Sequence, residues 1–306
     1  MALGCTYWSF QETKIMKRLD VKWGRPFDAE DLNPALRKFR HYIKDRGLRD
    51  ATIDSYVGYV RRYLEFTKND KPSCDDFAKF RRALLEKDLS RSSINNYCFA
   101  IRRYHEMLGG SIEFPFMRKN DEIPYYFGED DVLSIFSAAA GNIKHLAMLQ
   151  TLFYGCLRAS ELCNLDDGDL DLRGLNLRVR EGKGGRDGIV PISNECATTL
   201  RRYLQVRPPL EVDGKHPLFY TDYGKRWDRK DLYRMFVTYK EKACVEKNGA
   251  VHVFSRHTPA TIMIANGCDI RVVKEVLRHR DIRTTLRYAH VADKTMRGMY
   301  DQHLKL

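Results

Sequence analysis

A histidine and a tyrosine, His279 and Tyr288, lie nine residues apart in a strongly cationic stretch near the C-terminus. A tyrosine hydroxyl has an unperturbed pKa of about 10, so a catalytic tyrosine needs neighbouring positive groups that favour its phenolate form. His279 and the surrounding arginines could supply them, and the same groups would stabilise the oxyanion of a phosphodiester. The pairing therefore indicates covalent chemistry on nucleic acid. The alternative is structural, because a tyrosine and a histidine on neighbouring helices can also pack a core.

Two further cations upstream could bind an anion or move a proton. Arg158 follows the helix-breaking Gly155 and is predicted in the first turn of a new helix, where a cation is unusual because that helix end is positive. It could clamp an anion there, or form a salt bridge with Glu161. Lys183 has glycine on both sides at the predicted tip of a β-hairpin. Its ammonium could protonate a leaving oxygen, or simply be solvated.

Arg256 is the third upstream cation, and it precedes Thr258 and Pro259, a pair that suits the start of a helix. The spacing predicts that Arg256, His279 and Tyr288 lie on three consecutive short helices that can converge. Together with Arg158 and Lys183, this set predicts one active site.

Length and composition limit the fold and the partner. A chain of 306 residues exceeds the usual single-domain size, so two domains are expected. The net charge of +12 and the pI near 9.3 favour a polyanionic partner. Eight cysteines without a C-x-x-C pair argue against a zinc site or a disulfide framework. The chain has no apolar run long enough to span a bilayer and no export signal, so we predict a soluble cytoplasmic protein without a membrane partner.

The helical periodicity predicts a mainly α fold with a small β-hairpin, in the α+β class. Four helical patterns follow one another between residues 33 and 110, and the third begins with a capping box formed by Ser73 and Asp76. Alternating residues predict strands at 175–180 and 189–192 around a glycine-rich turn. The predicted domains are a leader (1–32), a helical domain (33–110), a linker (111–128) and a second domain (129–306), which ends in an amphipathic helix at 294–306.

Arginine pairs lie on two of the first four helices, as Arg61 with Arg62 and Arg102 with Arg103. They could be solvated faces, which is the usual role of a charge run, or contacts to a nucleic acid backbone. Both halves of the chain are basic. Two basic domains on a joint are therefore predicted to form a clamp on an extended polyanion.

These motifs resemble those of the tyrosine recombinases, the Xer-like and phage integrase-like enzymes that cut and rejoin DNA at specific sites. The likeness covers about residues 33 to 306, and the helical front half is similar to the family's core-binding domain. Four segments carry the resemblance in the family's order: 157–162 for the first arginine box, 182–192 for the lysine hairpin, 256–261 for the second arginine box and 277–288 for the last.

One position departs from the family pattern. The second box usually reads H-x-x-R, which would place a histidine at position 253, where this chain has Val253. His252 stands one residue earlier. Either a local shift of the backbone lets His252 serve, or the site works without that imidazole. His257, next to Arg256, is interpreted as structural, with Thr258 as a helix cap.

The resemblance implies a mechanism with defined roles. Arg158 and Arg256 hold the non-bridging oxygens of the scissile phosphate, and His279 donates a further hydrogen bond. Tyr288 attacks phosphorus to form a 3′-phosphotyrosine, while Lys183 protonates the departing 5′ oxygen. No metal or other cofactor is expected, because the arginines take the cation's role and the ester conserves the bond energy.

The resemblance also implies the partners. The expected substrate is double-stranded DNA with a specific recombination site, bound by a dimer on each site and a tetramer in the synapse. Two other functions fit some of the same residues. One is a type IB topoisomerase, which uses a similar set as a monomer. The other is a DNA-binding regulator that keeps the fold without catalysis.

Overall fold

The computed structural model describes residues 32–118, 125–180, 187–289, 300, 301 and 304. The chain divides into two compact units, residues 1–120 and 121–306. Helices dominate both, with one small antiparallel sheet in the second, which confirms the predicted fold class. Within the described residues, we find no helix with the length and apolar character needed to cross a membrane.

The described part of the first unit contains four helices with helical-period apolar faces. Local capping explains where two of them begin: the Asn33 side chain accepts the Leu36 N–H at 2.8 Å, and Ser73 and Asp76 form the predicted capping box. The helices are α1 (Pro34–Lys44), α2 (Asp50–Thr67), α3 (Cys74–Leu85) and α4 (Arg91–Met107).

The core of the first unit lies mainly between α2 and α4. Val57, Val60 and Tyr63 of α2 are fully buried, as are Ile101 and Tyr104 of α4. The three-residue spacing places each set on one helix face, so burial of these faces holds the two helices together.

Among its described residues, the second unit contains eight further α-helices and the sheet. The site depends on α6, α7 and the last three helices, which are short and close together in sequence. The helices are α5 (Glu129–Ala139), α6 (Ile143–Tyr154), α7 (Ala159–Cys163), α8 (Asn194–Val206), α9 (Arg229–Lys242), α10 (Thr258–Ala265), α11 (Ile270–Val276) and α12 (Arg283–Leu286).

The sheet has three antiparallel strands in the order β1 (Leu170–Asp171), β2 (Asn176–Val179) and β3 (Gly188–Pro191). The predicted strand pair is confirmed by β2 and β3, with Leu177 opposite Val190 and both fully buried. The two-residue strand β1 was not predicted. Residues 181–186 at the hairpin tip, including Lys183, lie outside the described residues.

Candidate active site

Arg256 lies in a π-helical turn, Val253–His257, immediately before α10. The Thr258 N–H donates to the Val253 carbonyl, five residues back, whereas the hydrogen bond of an α-helix spans four. The turn therefore accommodates one extra residue. Phe254 fixes it from inside, because this ring is fully buried among four other phenylalanine rings at centroid distances of 5.1–6.3 Å.

The Arg256 side chain joins two other segments of the site. It is 1% exposed, and its terminal nitrogens donate to two backbone carbonyls, Nη1 to Cys156 at 2.7 Å and Nη2 to Leu277. Cys156 lies two residues before Arg158, and Leu277 lies two residues before His279. Arg256 therefore links the segments that carry two other predicted phosphate ligands. Burial above all lowers the pKa of Arg256 to about 10, so its guanidinium stays charged at neutral pH.

Arg158 and Arg278 share one buried carboxylate. Arg158 is the N-cap residue of α7, not a residue of its first turn as predicted. Its backbone N–H donates to Glu161 Oε2 at 2.8 Å and its Nη1 to Oε1 at 2.5 Å. Arg278 Nη2 donates to Glu161 Oε2 at 2.6 Å. Burial opposes ionisation of Glu161, but Arg278 and Arg158 outweigh it, so the pKa of this carboxyl falls below its usual range.

Arg278 is a site residue that the sequence analysis did not identify. Its φ of +52° lies in the left-handed region, which costs a side-chain-bearing residue energy. Its side chain is 11% exposed and also reaches the Cys156 carbonyl at 3.3 Å. This backbone conformation ends α11 locally, because the Arg278 N–H donates to the Glu275 carbonyl at 2.9 Å and the His279 N–H to the Lys274 carbonyl at 3.0 Å. The contact with Glu161 joins residues 117 positions apart, so it had no local sequence signal.

His279 follows the end of α11 and is tied to the segment that carries the tyrosine. Its Nδ1 lies 2.9 Å from the hydroxyl of Thr285, which is fully buried. Burial, and then the charges of Arg256 and Arg158, lower the pKa of His279 to about 4. The imidazole is therefore neutral at physiological pH.

Tyr288 is buried, and its hydroxyl contacts a histidine. The residue is 2% exposed, and Oη lies 2.6 Å from His257 Nδ1. Burial raises the pKa of Tyr288, although Arg287 and Arg256 act in the opposite direction. The expectation that cationic neighbours would favour the phenolate is therefore wrong for this structure, because desolvation outweighs them.

The structure corrects three further predictions near the tyrosine. His279 and Tyr288 lie just after α11 and α12, not on helices, and Arg256 lies in a π turn. Thr258 does not cap α10, because its hydroxyl instead accepts the Phe127 N–H at 3.0 Å. These differences arise because tertiary contacts, rather than helix continuation, set the backbone around each side chain.

His252 lies directly before the π turn and next to two other histidines. Its ring is 4.8 Å from the His257 ring in an edge-to-face arrangement. Its charge is among the causes that lower the pKa of both His257 and His279. His252 is thus inside the cluster, as the interpretation with a shifted backbone requires.

A groove of about 1290 Å³ borders the cluster in the second unit. Its two acidic residues are Asp187 and Glu275, and basic residues outnumber them. The basic lining residues are Arg158, Arg271, Lys274, Arg278, His279 and Arg280. The groove can therefore admit an anionic backbone to Arg158 and His279.

The four arginines predicted to contact DNA from the first unit all have partners. Arg61 pairs with Glu65 at 3.1 Å, and Arg62 donates to the Tyr97 hydroxyl. Arg102 and Arg103 share Glu106, at 3.8 and 2.7 Å. The side chains of Arg61, Arg102 and Arg103 remain 40–45% exposed, so solvent screens these pairs and a phosphate could compete for the arginines.

Comparisons with known proteins identify the family of this chain. Residues 126–295 match the phage integrase family, and residues 36–109 match the phage integrase N-terminal SAM-like domain. The chain is 29% identical to the tyrosine recombinase XerD of Oceanobacillus iheyensis over 294 residues, which cover 89% of this chain and 98% of that protein. It is 32% identical to XerA of Pyrococcus horikoshii over 269 residues, which cover 86% and 90%. The chain therefore belongs to the phage integrase family.

Its activity follows from that membership and from the matches along nearly the whole chain: it is a tyrosine-type site-specific recombinase, an enzyme that exchanges DNA strands. Two solved structures share its fold. XerH bound to a palindromic difH substrate has a TM-score of 0.68 and 17% identity, covering 95% of this chain and 88% of that one. A lambda integrase dimer bound to a core site has a TM-score of 0.63 and 16% identity, covering 82% and 95%.

Proposed function

We propose that this recombinase cleaves double-stranded DNA at a specific site through a 3′-phosphotyrosine on Tyr288, and rejoins it without ATP or a metal ion. The linkage made by Arg256 and His257 supports this proposal above all. Arg256 joins the segments of Arg158 and His279, and the next residue binds the Tyr288 hydroxyl at 2.6 Å. One turn of backbone thus connects the proposed nucleophile with its phosphate ligands.

Arg158 and Arg256 bind the non-bridging oxygens of the scissile phosphate and stabilise its pentacovalent transition state. A guanidinium has five N–H donors, and the carbonyls of Cys156 and Leu277 engage only two of those on Arg256. Arg158 must turn from Glu161 towards the phosphate. Leaving a buried carboxylate unpaired would cost several kcal/mol, but Arg278 stays bound to it. Arg278 thereby lets Arg158 exchange partners.

His279 donates a further hydrogen bond to the phosphate. Since its pKa of about 4 keeps the ring neutral at pH 7, only one nitrogen carries a proton. The Thr285 hydroxyl, 2.9 Å from Nδ1, can donate to that nitrogen. The proposed reaction uses this tautomer, in which Nε2 carries the proton for the phosphate oxygen.

His252 takes the place of the histidine in the family's H-x-x-R pattern. It lies four positions before Arg256 rather than three, and the π turn at Val253–His257 accommodates the extra residue. Its proximity to His257 and His279 supports this role. The imidazole assists proton transfer at the phosphate.

Lys183, whose placement lies outside the described residues, is proposed as the general acid that protonates the 5′ oxygen. Its variant Lys183→Ala should cleave about 10² to 10⁴ times more slowly. A substrate with a 5′-bridging sulfur, which leaves without protonation, should recover most of this loss. Should the sulfur substrate give no recovery, Lys183 serves only as a groove contact.

Assembly on DNA follows from the need for four active sites used in pairs. A monomer in free solution becomes a dimer on one site and a tetramer on two, with Arg61, Arg62, Arg102 and Arg103 gripping the DNA backbone. Residues 294–306 carry contacts between protomers, and of this segment only positions 300, 301 and 304 are described, with Tyr300 and Leu304 exposed. Deleting 294–306 should preserve binding by one protomer but abolish cooperative binding and strand exchange. A truncated protein that recombines at the normal rate would place the interface elsewhere.

A nicked suicide substrate tests the central proposal, because it traps the covalent intermediate. Wild-type protein should form a protein–DNA adduct that survives denaturation, and Tyr288→Phe should bind the DNA but form none. Tyr239→Phe is the matched control, since it removes another buried hydroxyl that contacts a histidine in the same unit. An undiminished adduct in Tyr288→Phe would refute the assignment.

A further inference from the structure

We propose that His257 is a further catalytic residue, which accepts the Tyr288 proton on Nδ1 during attack and returns it when the strand is rejoined. This inference rests on the proposed function. The observation that carries it is the contact of 2.6 Å between His257 Nδ1 and Tyr288 Oη, the atom that forms the new bond. From sequence, His257 had only a structural interpretation.

The two ionisation states leave a proton on the tyrosine for the histidine to accept. Burial, followed by nearby cationic groups, lowers the pKa of His257 to about 3, so the ring is neutral at physiological pH. Burial raises the pKa of Tyr288, so the phenol keeps its proton. The proposed reaction uses the tautomer with the imidazole proton on Nε2, in which the phenol donates to Nδ1 across the 2.6 Å contact. In that tautomer a base is already in contact with the proton that must leave.

The substrate itself would make this base stronger. After burial, the groups that lower the pKa of His257 are His252, Arg287, Arg256 and His279, in that order. Of these groups, Arg256 is a charged ligand proposed for the phosphate. The negative charge of the phosphate offsets the charge of Arg256, so the basicity of His257 rises when the scissile phosphate arrives. Without DNA, the tyrosine stays protonated and unreactive.

Protons are neither gained nor lost over one cycle of cleavage and rejoining. In cleavage, the Oη–H bond breaks, its proton moves to Nδ1, the Oη–P bond forms and the P–O5′ bond breaks, with Lys183 protonating the 5′ oxygen. In rejoining, a 5′-hydroxyl gives its proton to Lys183 and attacks phosphorus. The tyrosine oxygen then leaves with the proton from Nδ1. No external acid or base is consumed.

The test measures single-turnover adduct formation by His257→Asn between pH 6 and 9. Asparagine can accept a hydrogen bond near the position of Nδ1 but cannot take the proton. We expect the rate at pH 7 to fall by about 10² to 10⁴. It should then rise about tenfold per pH unit, because hydroxide must remove the proton, whereas the wild-type rate levels off. A 5′-bridging sulfur should not rescue this variant, although it rescues Lys183→Ala.

His145→Asn is the matched control, because His145 Nδ1 lies 2.9 Å from the Tyr239 hydroxyl away from the site. It should leave the rate and the pH profile of adduct formation unchanged. Thermal unfolding shows whether each variant folds, and His257→Gln replaces His257→Asn if the latter does not.

A rate profile parallel to wild type, even a slower one, would show that His257 only positions the tyrosine and would overturn the proposal. Rescue by the sulfur substrate would do the same. If the wild-type protein forms no adduct, or if Tyr288→Phe still forms one, the proposed function itself fails, which is a different result.

Discussion

Two histidine–tyrosine pairs in the catalytic unit have similar geometry but different surroundings. His257 and Tyr288 are joined at 2.6 Å with ring centroids 5.7 Å apart. His145 and Tyr239 are joined at 2.9 Å with centroids 5.6 Å apart. In both pairs burial lowers the pKa of the histidine and raises that of the tyrosine. The hydrogen bond alone does not distinguish a reactive pair from a structural one.

The charges around the two pairs do distinguish them. His145 lies next to the Trp227 ring and beside an ion pair between Lys144 and Asp222, and Lys242 also acts on its pKa. The Asp222 carboxylate offsets part of the positive charge there. The charged groups that act most on His257 are all basic. Burying positive charge without a neighbouring carboxylate costs free energy. A bound phosphate would supply the missing negative charge. This imbalance is the feature that marks a reactive pair.

Arg256→Lys should have the largest effect, because Arg256 is the main buried cation beside the reactive pair. A lysine keeps the charge but cannot donate to the Cys156 and Leu277 carbonyls while also binding a phosphate. We expect adduct formation to fall at least about 10³-fold in a single-turnover assay. Arg207→Lys is the control, since Arg207 also joins separate segments, through Pro217 and Asp167. Equal rates in the two variants would contradict the role of Arg256.

Arg278→Met should have the next largest effect. Without Arg278, Glu161 holds Arg158 more strongly, so Arg158 is less available to the phosphate. Adduct formation should fall about 10- to 100-fold, less than for loss of a direct ligand. Arg271→Met removes another arginine of the groove, an exposed one paired with Asp269, and should change the rate little. A normal rate in Arg278→Met would show that Arg158 needs no such help.

His252→Ala should slow cleavage about tenfold or more while leaving DNA affinity intact, because only proton transfer is affected. Val253→His should then give no gain. Deleting Val253 should convert the π turn to an α turn and place His252 three residues before Arg256, with activity retained. Improved cleavage by Val253→His, together with a silent His252→Ala, would instead show that the site lacks this imidazole.

The smallest expected effect is on the pH dependence of the free energy of unfolding. The pKa values of His257 and His279, about 3 and about 4, lie below the unfolded value of about 6.5, so the unfolded chain binds more protons between these limits. The contribution of these histidines to the free energy of unfolding is therefore fully present above about pH 6.5 and is lost as the pH decreases. Because both rings are partly exposed and solvent screens their charges, the loss at pH 5 should be at most about 2 kcal/mol per histidine in urea unfolding. His257→Asn should lose less stability between pH 8 and pH 5 than wild type, and an equal loss would contradict this account.

The sequence predicted the features that depend on neighbours along the chain. The capping box at Ser73 and the pairing of β2 with β3 follow from local patterns, and the structure contains both. The predicted convergence of Arg256, His279 and Tyr288 came from the order of motifs. The structure links them through Leu277 and His257.

Features set by distant contacts could not be predicted. The π turn depends on Phe254 packing among rings from three other parts of the unit. The contact between His257 and Tyr288 joins residues 31 positions apart, and no pattern marked it. The bond from the Arg278 side chain to Glu161 likewise joins residues 117 positions apart, and no pattern marked it either.

The two carbonyl contacts of Arg256 also have a consequence for local opening. Segments near positions 156, 256 and 277 are distant in sequence but share one guanidinium. Opening any one of them would expose a buried charge, so we expect their amide hydrogens to exchange together with a common free energy. A phosphate site that opens only as a whole cannot fluctuate into half-formed states, and an enzyme that breaks DNA thereby avoids a partly assembled centre.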